Sequence, residues 1–571
     1  MKSISMVLLS LLSSISVSVS AAALESIPDS NWKTAKDVIS FQPYAVAQGP
    51  IRFLNSDQKV TLTNLNKFVN TWFILQVTPG NSWWKPRIFN LESAAPLNQE
   101  IYLTAQGDLA VKSKSGEAVV CKVMNEDGWS GPLFDGAGGD PYVALCEGRL
   151  YLRNQQAGHK DAIAWGSTVL RDVLGNVGDD IVNGVKENLY NGKYFEAGQE
   201  QADSGGKVRD EGGPNAAQVS ANVEIAQSGI GFDLDGTNGA LKVGEWYRSR
   251  NFAGVFLSVM KAKYVAPEIL KSYPDRVNPL DVSGKGESEA LVNSIAIDLE
   301  LYRFGWNNGT EHPGVGWSSR ALKEFGPGPD GFADLSPLTF PGVVTPVLLS
   351  RTVGVLTGGF QRRHSAFKGG PLSTINRGSH YGFMEKGVLM STIVPNLATF
   401  IVNLDGSIDL KTWAEADNER LASMRDIRQN GVALIETDPA TGKGIPGPLV
   451  KDWVGGNWSG SAAVELKTPR TSMCIAERDG KRYLIVSYFS THTPNGMARV
   501  LQAYGCKYAV HMDMNSPQFA YSAFFTATPD GDFNIEHLSN SMNDDVFVNG
   551  KKAPRSLLTP TYKDFFYVMK R

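Results

Sequence analysis

The sequence has few cysteines, no excess of either charge and, beyond its amino terminus, no apolar run long enough to span a bilayer. Its four cysteines lack the C-x-x-C spacing of zinc sites, and no two histidines have the i, i+4 spacing of helical metal ligands. The chain has 55 basic and 58 acidic side chains and a formal net charge of −3. It therefore lacks the excess of positive charge that is typical of nucleic-acid-binding proteins. We therefore expect no metal centre, no nucleic-acid partner and no membrane span.

Two common catalytic signatures are also absent. The chain has neither the G-x-S-x-G nucleophile elbow nor a phosphate-binding P-loop. The G-x-G-x-x-G spacing occurs from Gly326 and from Gly442, but each stretch contains a proline and neither directly follows a convincing strand. Nucleotide chemistry is disfavoured and no cofactor is expected. Carboxylate-based hydrolysis remains, and it needs two acids held in different environments.

The amino terminus is typical of a secretory signal. Lys2 precedes an apolar and small-residue run that ends at three alanines, which predicts a signal peptide over residues 1–23 and a periplasmic or secreted product. In an oxidising compartment the cysteines, which fall into two separated groups, favour the pairs Cys121–Cys146 and Cys474–Cys506. Four cysteines allow three connectivities, so other pairings and buried free thiols remain open.

The pattern along the chain predicts an α+β protein. Short apolar runs broken by Gly, Asp and Pro over residues 24–155 indicate an antiparallel β-domain, accessory or glycan-binding. Residues 156–222 contain an amphipathic helical segment and a linker rich in glycine and charge. Residues 223–571 return to strand-like runs with inserted helices. Tryptophans of the first domain are candidates for a sugar-stacking surface, with core packing as the alternative: Trp72, Trp83, Trp84 and Trp129.

The clearest local unit is a strand, a helix and a strand near the carboxyl terminus. Residues 495–505 repeat apolar side chains at spacings of three and four and end at a glycine, which predicts a helix. The following strand ends on Asp513. A carboxylate at the end of a buried strand is costly unless it is paired, hydrogen-bonded or used. The local pattern predicts that Asp513 caps the turn or accepts backbone N–H bonds, and an active-site acid is the alternative.

The histidines concentrate in the carboxyl-terminal half of the chain. All seven except His159 lie there, several beside an arginine or an acid. A shared cleft is therefore one interpretation, whereas His492 and His537 are interpreted as structural. The histidines taken as site candidates on this basis are His364, His380 and His511.

Seven motifs follow one another in order over residues 223–571. They are "TGGFQRRH", "GSHYGFMEKGV", "VNLDGSIDLKTW", "RQNGVALIE", "PRTSMCIAERDGKRYLIV", "NGMARVLQAYGC" and "YAVHMDMN". This ordered set resembles the phosphodiester glycosidase family, which includes the lysosomal enzyme that removes N-acetylglucosamine from phosphodiester-linked mannose. The resemblance implies a large mixed-sheet domain and hydrolysis of glycosidic or glycosyl-phosphodiester bonds, with a carbohydrate or anionic glycoconjugate as partner.

The sequence departs from the family pattern at two places. Thr357 replaces the asparagine of the first motif, and Met514, Asn515 and Ser516 stand where the family has glycines after Asp513. Glycines at these positions let backbone approach a ligand closely, so their loss changes the floor of the site. A non-catalytic glycan-binding or envelope-assembly protein that retains the fold is therefore the alternative to a hydrolase.

Transferred residue by residue, the resemblance implies that Asp513 is the site acid and that Arg470, Gly358 and Gly359 line the same hollow. In our hypothesis Arg470, with Arg362 or Arg363, binds an anionic group, and Asp513 shares acid and base roles with Glu385 or Glu311. His511 or His364 is a substitute proton donor. The remaining expected substrate-binding residues are His380 and Asn515.

Overall fold

Strands make up 40% of the residues that the structure describes and helices 11%, so the expected β-rich character is confirmed. The structure is a computed structural model that describes residues 35–53, 56–81, 83–127, 129–158, 194–204, 212–280, 282, 286–315, 334–362, 381–451, 466–543 and 545–571. The expected signal peptide and the main part of the expected helical segment lie outside the described residues. No helix within the described ranges has the length and apolarity needed to cross a membrane.

The first nine strands form two antiparallel sheets at the amino-terminal end. The elements are β1 (Val46–Arg52), β2 (Lys59–Asn64), β3 (Trp72–Thr78), β4 (Arg87–Ser93), β5 (Gln99–Leu103), β6 (Leu109–Ser113), β7 (Ala118–Cys121), helix α1 (Pro132–Asp135), β8 (Tyr142–Leu145) and β9 (Leu150–Arg153). The larger sheet has the order β1-β2-β3-β4-β9-β8, and the smaller one has the order β5-β6-β7.

The two faces of the larger sheet pack against different cores. Along β3, Phe73 and Leu75 join a core that includes residues of the smaller sheet. Trp72 and Ile74 join the large core of the remaining chain. Successive side chains of a strand point to opposite faces, so this sheet is covered on both sides. One face of the amino-terminal sheet therefore belongs to the core of the remaining chain, and its other face belongs to a separate core.

Most of the remaining strands form one large sheet and two smaller ones. The elements before residue 400 are β10 (Glu200–Ala202), β11 (Val223–Ala226), β12 (Ala240–Lys242), β13 (Tyr247–Arg248), β14 (Val255–Lys261), α2 (Pro267–Lys271), β15 (Leu291–Asp298), β16 (Tyr302–Asn307), β17 (Thr352–Thr357), β18 (Phe383–Glu385), β19 (Val388–Leu389) and β20 (Ala398–Asn403).

The elements after them run to the end of the chain. They are β21 (Ile408–Thr412), β22 (Met424–Gln429), β23 (Ala433–Thr437), β24 (Gly444–Pro446), β25 (Thr468–Arg478), β26 (Lys481–His492), α3 (Pro494–Ala503), β27 (Tyr508–Met514), β28 (Ala523–Ala527), β29 (Phe533–His537), β30 (Val546–Val548), β31 (Lys551–Ala553) and β32 (Phe565–Lys570). Short 3₁₀ helices cover Cys146–Gly148, Gln227–Gly229, Ala262–Tyr264, Pro346–Arg351, Glu415–Ser423 and Asn540–Met542.

The eight-stranded sheet has the order β13-β14-β15-β26-β25-β27-β23-β24. Two five-stranded sheets have the orders β16-β32-β17-β28-β29 and β19-β18-β22-β20-β21, while β10-β11-β12 and β30-β31 form small sheets of their own. Strands β14, β15 and β27 are buried along their whole length. Such strands need apolar residues on both faces, which explains their near-continuous apolar runs.

The expectation of a mixed sheet is wrong for the described strands, because every pairing between them is antiparallel. Helix α3 connects β26 to β27, and both strands pair with β25, which lies between them. A tight turn at Asp479 and Gly480, both with positive φ, joins β25 to β26. An Asp-Gly pair in this conformation favours a hairpin. The hairpin places β25 between β26 and β27, where these two strands would otherwise pair in parallel with each other.

Helix α3 confirms the helix expected before Asp513. The Thr493 hydroxyl accepts a hydrogen bond from Gly496 N, and Pro494 occupies the first turn, where its missing N–H costs nothing. Gly505, with φ of 71°, stands just beyond the helix. Nearly all of its side chains are buried, so the helix packs inside the protein and fixes the start of β27.

Two disulfides are present, with the pairing that the spacing favoured. Cys121 at the end of β7 bonds to Cys146 before β9, which links the two amino-terminal sheets. Cys474 on β25 bonds to Cys506, which follows α3. Both bridges are compatible with an exported protein.

A buried ion cluster joins the amino-terminal sheet to the strands around β18. Arg153 donates to Glu92 Oε2 at 2.6 Å and to Glu385 Oε1 at 3.0 Å, and Lys386 Nζ lies 2.8 Å from Glu92 Oε1. The Arg153 guanidinium also stacks on Trp72 at 3.6 Å from the ring centre. Burial opposes ionisation of Glu92, but Lys386 and Arg153 outweigh it and lower the pKa of this carboxyl.

Replacing Glu92 with Gln should destabilise the protein by about 3 kcal/mol at pH 7, because it removes the negative charge that balances two buried cations. The folded-state pKa of Glu92 lies below its unfolded value. The stabilisation is therefore complete above about pH 4.3, the ordinary Glu pKa, and is lost as the pH falls through the folded-state value. Urea unfolding at pH 7 and below pH 4 measures the difference between wild type and variant.

The matched control is Glu117→Gln, which removes a more exposed ion pair with Arg149. Exposed pairs contribute about 0–1 kcal/mol, so this change should be small at both pH values. A stability difference for Glu92→Gln that stays constant or grows as the pH is lowered would contradict the assignment.

Candidate functional site

Asp513 lies near the end of β27 and is buried. Its Oδ2 accepts a hydrogen bond from Lys563 Nζ, and its Oδ1 accepts from Met514 N at 2.9 Å. Asn515 N donates instead to Pro469 O at 2.8 Å. The carboxylate therefore accepts a backbone N–H bond, as the local pattern favoured, in addition to its ion pair with Lys563. Burial raises the pKa of Asp513, Lys563 opposes that rise, and the charge of Asp564 adds to it.

The Gly358–Gly359 bend follows β17 and contacts this acid. Gly358 O accepts from Asp513 N at 3.0 Å, and Gly359 N donates to Asp564 Oδ2 at 3.1 Å. An added Cβ on Gly359 would stand 2.7 Å from Arg428 Nη2, closer than a side chain tolerates. The bend therefore needs glycine for close approach, and it lies between two acids.

Asp564 is the acid that the sequence reasoning missed. Its Oδ2 also accepts from Arg428 Nε at 2.8 Å and from Trp306 Nε1 at 3.2 Å. Its other oxygen, Oδ1, has no hydrogen-bond partner among the described residues. A signal was present, because Lys563 and Asp564 form a charged pair directly before the apolar strand β32. The argument used for Asp513 was that an acid at one end of a buried strand is costly unless it is paired or used. It applies to Asp564, which directly precedes the buried strand β32, as well.

Arg470 on β25 is near Asp513 but has a different use from the one expected. Its guanidinium is fully buried and donates to His492 O at 2.8 Å and to Leu466 O at 3.1 Å. Burial lowers its pKa to about 9, so the group is still charged at neutral pH, and Glu287 opposes the change. These contacts hold the chain ends of β25 and β26 and do not present the guanidinium as a fork to an external anion.

His511 is two residues before Asp513 on β27. Its Nε2 lies 3.5 Å from Arg470 Nη1, and its ring packs on Phe360 at 4.9 Å between ring centres. Burial, with a smaller effect of Arg470, lowers the pKa of His511 well below its ordinary value. The imidazole is therefore neutral near pH 7, which disfavours the proton-donor role that was expected of it.

Asn515 forms a bend directly after Met514 at the end of β27. Its backbone has φ of 82°, in the left-handed region that favours glycine. Asn enters this region more readily than most residues, so the chain keeps a glycine-like bend after Asp513. Thr357 donates its hydroxyl to Phe519 O at 2.9 Å. Its role in this structure is to fix the end of β17.

Two other expected residues approach the site from a neighbouring loop. Glu311 N donates to Tyr562 O at 3.2 Å, next to Lys563, and the Glu311 side chain is exposed. Arg362 is buried, and its Nε donates to Tyr381 O at 3.2 Å.

The other expected residues lie elsewhere or outside the described ranges. Glu385 lies in the buried ion cluster, where its Oε2 also accepts from Asn308 N at 3.0 Å. Both of its oxygens accept hydrogen bonds, from Arg153 and from Asn308. This arrangement suits a structural role more than proton transfer. Within the described ranges no group of three or more His, Cys, Asp or Glu is arranged to hold a metal ion. The expected residues outside those ranges are His364, Arg363 and His380.

The geometry gives two buried acids beside one glycine bend, each with a cation. Asp513 pairs with Lys563, and Asp564 pairs with Arg428. Asn430 connects the bend to β27, because its Oδ1 accepts from Phe360 N at 2.9 Å and its amide donates to His511 O. A carboxyl of raised pKa near a firmly held carboxylate is an arrangement that supports acid and base chemistry.

Comparisons with known proteins give only distant likenesses. No family model and no curated protein matches the chain. A similar solved structure is the catalytic domain of zebrafish N-acetylglucosamine-1-phosphodiester alpha-N-acetylglucosaminidase, auto-inhibited by its pro-peptide. It has 12% identity and a TM-score of 0.28, and the match covers 57% of this chain and 86% of that chain.

Two further solved structures are similar at a lower level. One is described as an exported protein from Burkholderia pseudomallei, with 9% identity, a TM-score of 0.22, and coverage of 49% of this chain and 73% of that chain. The other is a hypothetical protein from Synechocystis, with 10% identity, a TM-score of 0.21, and coverage of 88% and 97%. Scores this low carry no argument about activity.

Gly359→Ala should destabilise the protein by about 1–3 kcal/mol, the usual cost of forcing an extra carbon into a packed region. The added Cβ would displace the Arg428 guanidinium, which donates to Phe360 O at 2.6 Å. Gly229→Ala is the control, since its Cβ would meet nothing nearer than 3.7 Å. Urea unfolding of both variants measures the effect, and equal stabilities would show that the bend does not need glycine there.

Proposed function

We propose that the protein is an exported hydrolase of glycosidic or glycosyl-phosphodiester bonds in a polysaccharide or glycoconjugate. The observation that supports this function is the pair of acids beside the Gly358–Gly359 bend. Asp513 meets the bend through its backbone N–H, and Asp564 meets it through its carboxylate. A nearby second acid is what glycoside hydrolysis requires and what a simple turn cap would lack.

Asp513 is the proton donor in this proposal. Its raised pKa keeps a larger protonated fraction than an ordinary aspartate would have at the same pH. Asp564 is the second carboxylate, because Arg428, Trp306 and Gly359 N all donate to its Oδ2 and hold it in place. The Oδ1 oxygen of Asp564, which has no partner among the described residues, is the one that faces the reacting centre.

The reaction then balances with these two groups and water. The bond between the anomeric carbon and the leaving oxygen breaks, and that oxygen takes the proton of Asp513. The Asp564 carboxylate stabilises the positive charge that develops at the anomeric carbon. Water adds its oxygen to this carbon, and its released proton restores the acid form of Asp513.

Lys563 replaces Arg470 as the proposed contact for an anionic substrate. Its ammonium pairs with Asp513 and lies 4.2 Å from the centre of the Phe519 ring. A phosphodiester would compete with Asp513 for this cation, which would leave the carboxyl easier to protonate. Arg470 and His511 then act as positioning residues that hold β25 and β27 around the acid.

A second candidate function is a glycan-binding or envelope-assembly protein without catalysis. The observation that favours it is that both acids are buried in ion pairs, Asp513 with Lys563 and Asp564 with Arg428. Paired charges of this kind also occur where the role is structural. This candidate predicts retention of a glycan without release of any product.

Asp513→Asn and Asp564→Asn should each lower kcat by about 10²-fold or more, because each removes an acid or base group from the reaction. The assay incubates the chain from residue 24 with capsular and envelope polysaccharides and with a glycosyl-phosphodiester, and measures reducing ends and released sugar. Asp545→Asn is the control, since Asp545 is a buried acid paired with His537 and Lys552 in another cluster. Unchanged turnover by a folded Asp513→Asn variant would disprove the assigned roles.

The pH profile of wild type should lose activity as the pH rises through the raised pKa of Asp513, because the donor proton is then lost. This loss of activity forms the alkaline limb of the profile. Lys563→Gln should move the limb to higher pH, since Lys563 opposes the rise in the pKa of Asp513. Initial rates on a neutral glycoside between pH 3 and pH 9 measure the limb. A limb that stays in place or moves to lower pH would contradict the pairing.

A further inference from the structure

The amino-terminal β-domain exposes tryptophans that the proposed chemistry does not use. Trp83 is 89% exposed and Trp84 is 65% exposed, whereas Trp72 on β3 is buried in the core. Trp129 is half-buried beside them. Large exposed apolar groups that cluster together mark interaction sites more often than single ones do. Trp83, Trp84 and Trp129 are called the tryptophan platform below.

Backbone hydrogen bonds hold the platform in place before any ligand binds. The Asn81 side chain accepts from Trp83 N at 3.0 Å, in the loop between β3 and β4. Asp127 accepts from Trp129 N at 2.9 Å and from Ser130 N at 3.1 Å. Side-chain acceptors of this kind fix the turns that carry the rings. A surface ordered in advance loses less conformational entropy on binding.

The rings of the platform connect to the core of the domain. Trp84 packs on Trp129 with ring centres 5.7 Å apart, and Trp129 contacts Phe134 at 6.2 Å. Phe134 in turn contacts Phe89, which is buried, at 4.9 Å. Aromatic pairs at these separations are attractive. The outer rings therefore rest on a packed row of aromatic side chains.

The polar groups beside the platform carry both charges. Lys85 lies in the loop with Trp83 and Trp84, and Arg87 is the first residue of β4. Glu126 and Asp127 precede Trp129. All four side chains are exposed. Two cations and two anions give no net charge, so the surface offers no attraction for a polyanion or for an anionic lipid surface. It does offer hydrogen-bond donors and acceptors next to flat apolar rings.

We propose that the tryptophan platform binds the sugar rings of an uncharged or weakly charged polysaccharide. A pyranose has an apolar C–H face and a rim of hydroxyls, so it matches indole faces bordered by both donors and acceptors. The platform would hold the polymer on the amino-terminal domain. This proposal does not depend on the roles of Asp513 and Asp564.

The test uses the full chain from residue 24 and four probes: insoluble chitin, cellulose, purified peptidoglycan and a soluble capsular polysaccharide. We expect wild type to be retained by at least one of them. Trp83→Ala and Trp84→Ala should each weaken that binding at least tenfold, and the double variant should abolish it. Trp84→Tyr should recover part of the affinity, because a flat ring is restored.

Phe547→Ala is the matched control, since Phe547 is 71% exposed on the hairpin of β30 and β31, away from the platform loops in sequence. It should bind as wild type does. Asp513→Asn should also bind as wild type does, so a failure of the proposed hydrolysis leaves this result unaffected. Tryptophan fluorescence should change on binding, and this change should be lost in Trp84→Ala.

Three outcomes would overturn the proposal. The first is that wild type binds none of the four polysaccharides. The second is that Trp83→Ala and Trp84→Ala, folded as judged by circular dichroism, bind as tightly as Phe547→Ala does. The third is that wild type binds phosphatidylcholine vesicles and not the polysaccharides, and that the tryptophan variants lose this binding.

Discussion

The buried ion pair between Arg428 and Asp564 is the interaction on which the candidate site depends. Both side chains are fully buried, and a single charge in that position would cost several kcal/mol. Arg428 lies on β22, Asp564 directly precedes β32, and the Gly358–Gly359 bend follows β17. Because the carboxylate accepts from Arg428 and from Gly359 N, the pair fixes these three segments relative to one another. The position of Asp513 follows, since its backbone donates to Gly358 O.

A second group of buried charges connects this region to the amino-terminal sheet. Glu385 accepts from Arg153 of β9 and from Asn308, which follows β16. The next residue, Gly309, packs so closely on Tyr562 and Lys563 that a side chain would not fit there. Contacts therefore run from the amino-terminal sheet to the segment that holds Lys563. The buried charges of these two groups are tolerable because each has a partner of opposite sign.

Reading the sequence named some residues of the candidate site and did not anticipate the contacts that others make. Gly358, Gly359 and Asp513 were named from their motifs, and the structure brings them into contact. Asp564 was missed because it lies in no recognised motif, and its partner Arg428 is 136 residues away. Arg470 was expected to bind an anion, yet its burial and its carbonyl contacts are properties of the packed protein. The residues next to Arg470 in the sequence predict neither its burial nor its contacts.

The sequence by itself determined the features that rest on local chemistry. The apolar alternation of the strands, the Thr493 cap and Gly505 end of α3, and the Asp-Gly hairpin each depend on a few adjacent residues. Only the tertiary structure decided which acids meet, because β17, β27 and the start of β32 are adjacent in space but far apart along the chain. It also decided that Trp72 is buried and Trp84 exposed, since residue type does not reveal which surfaces will be covered.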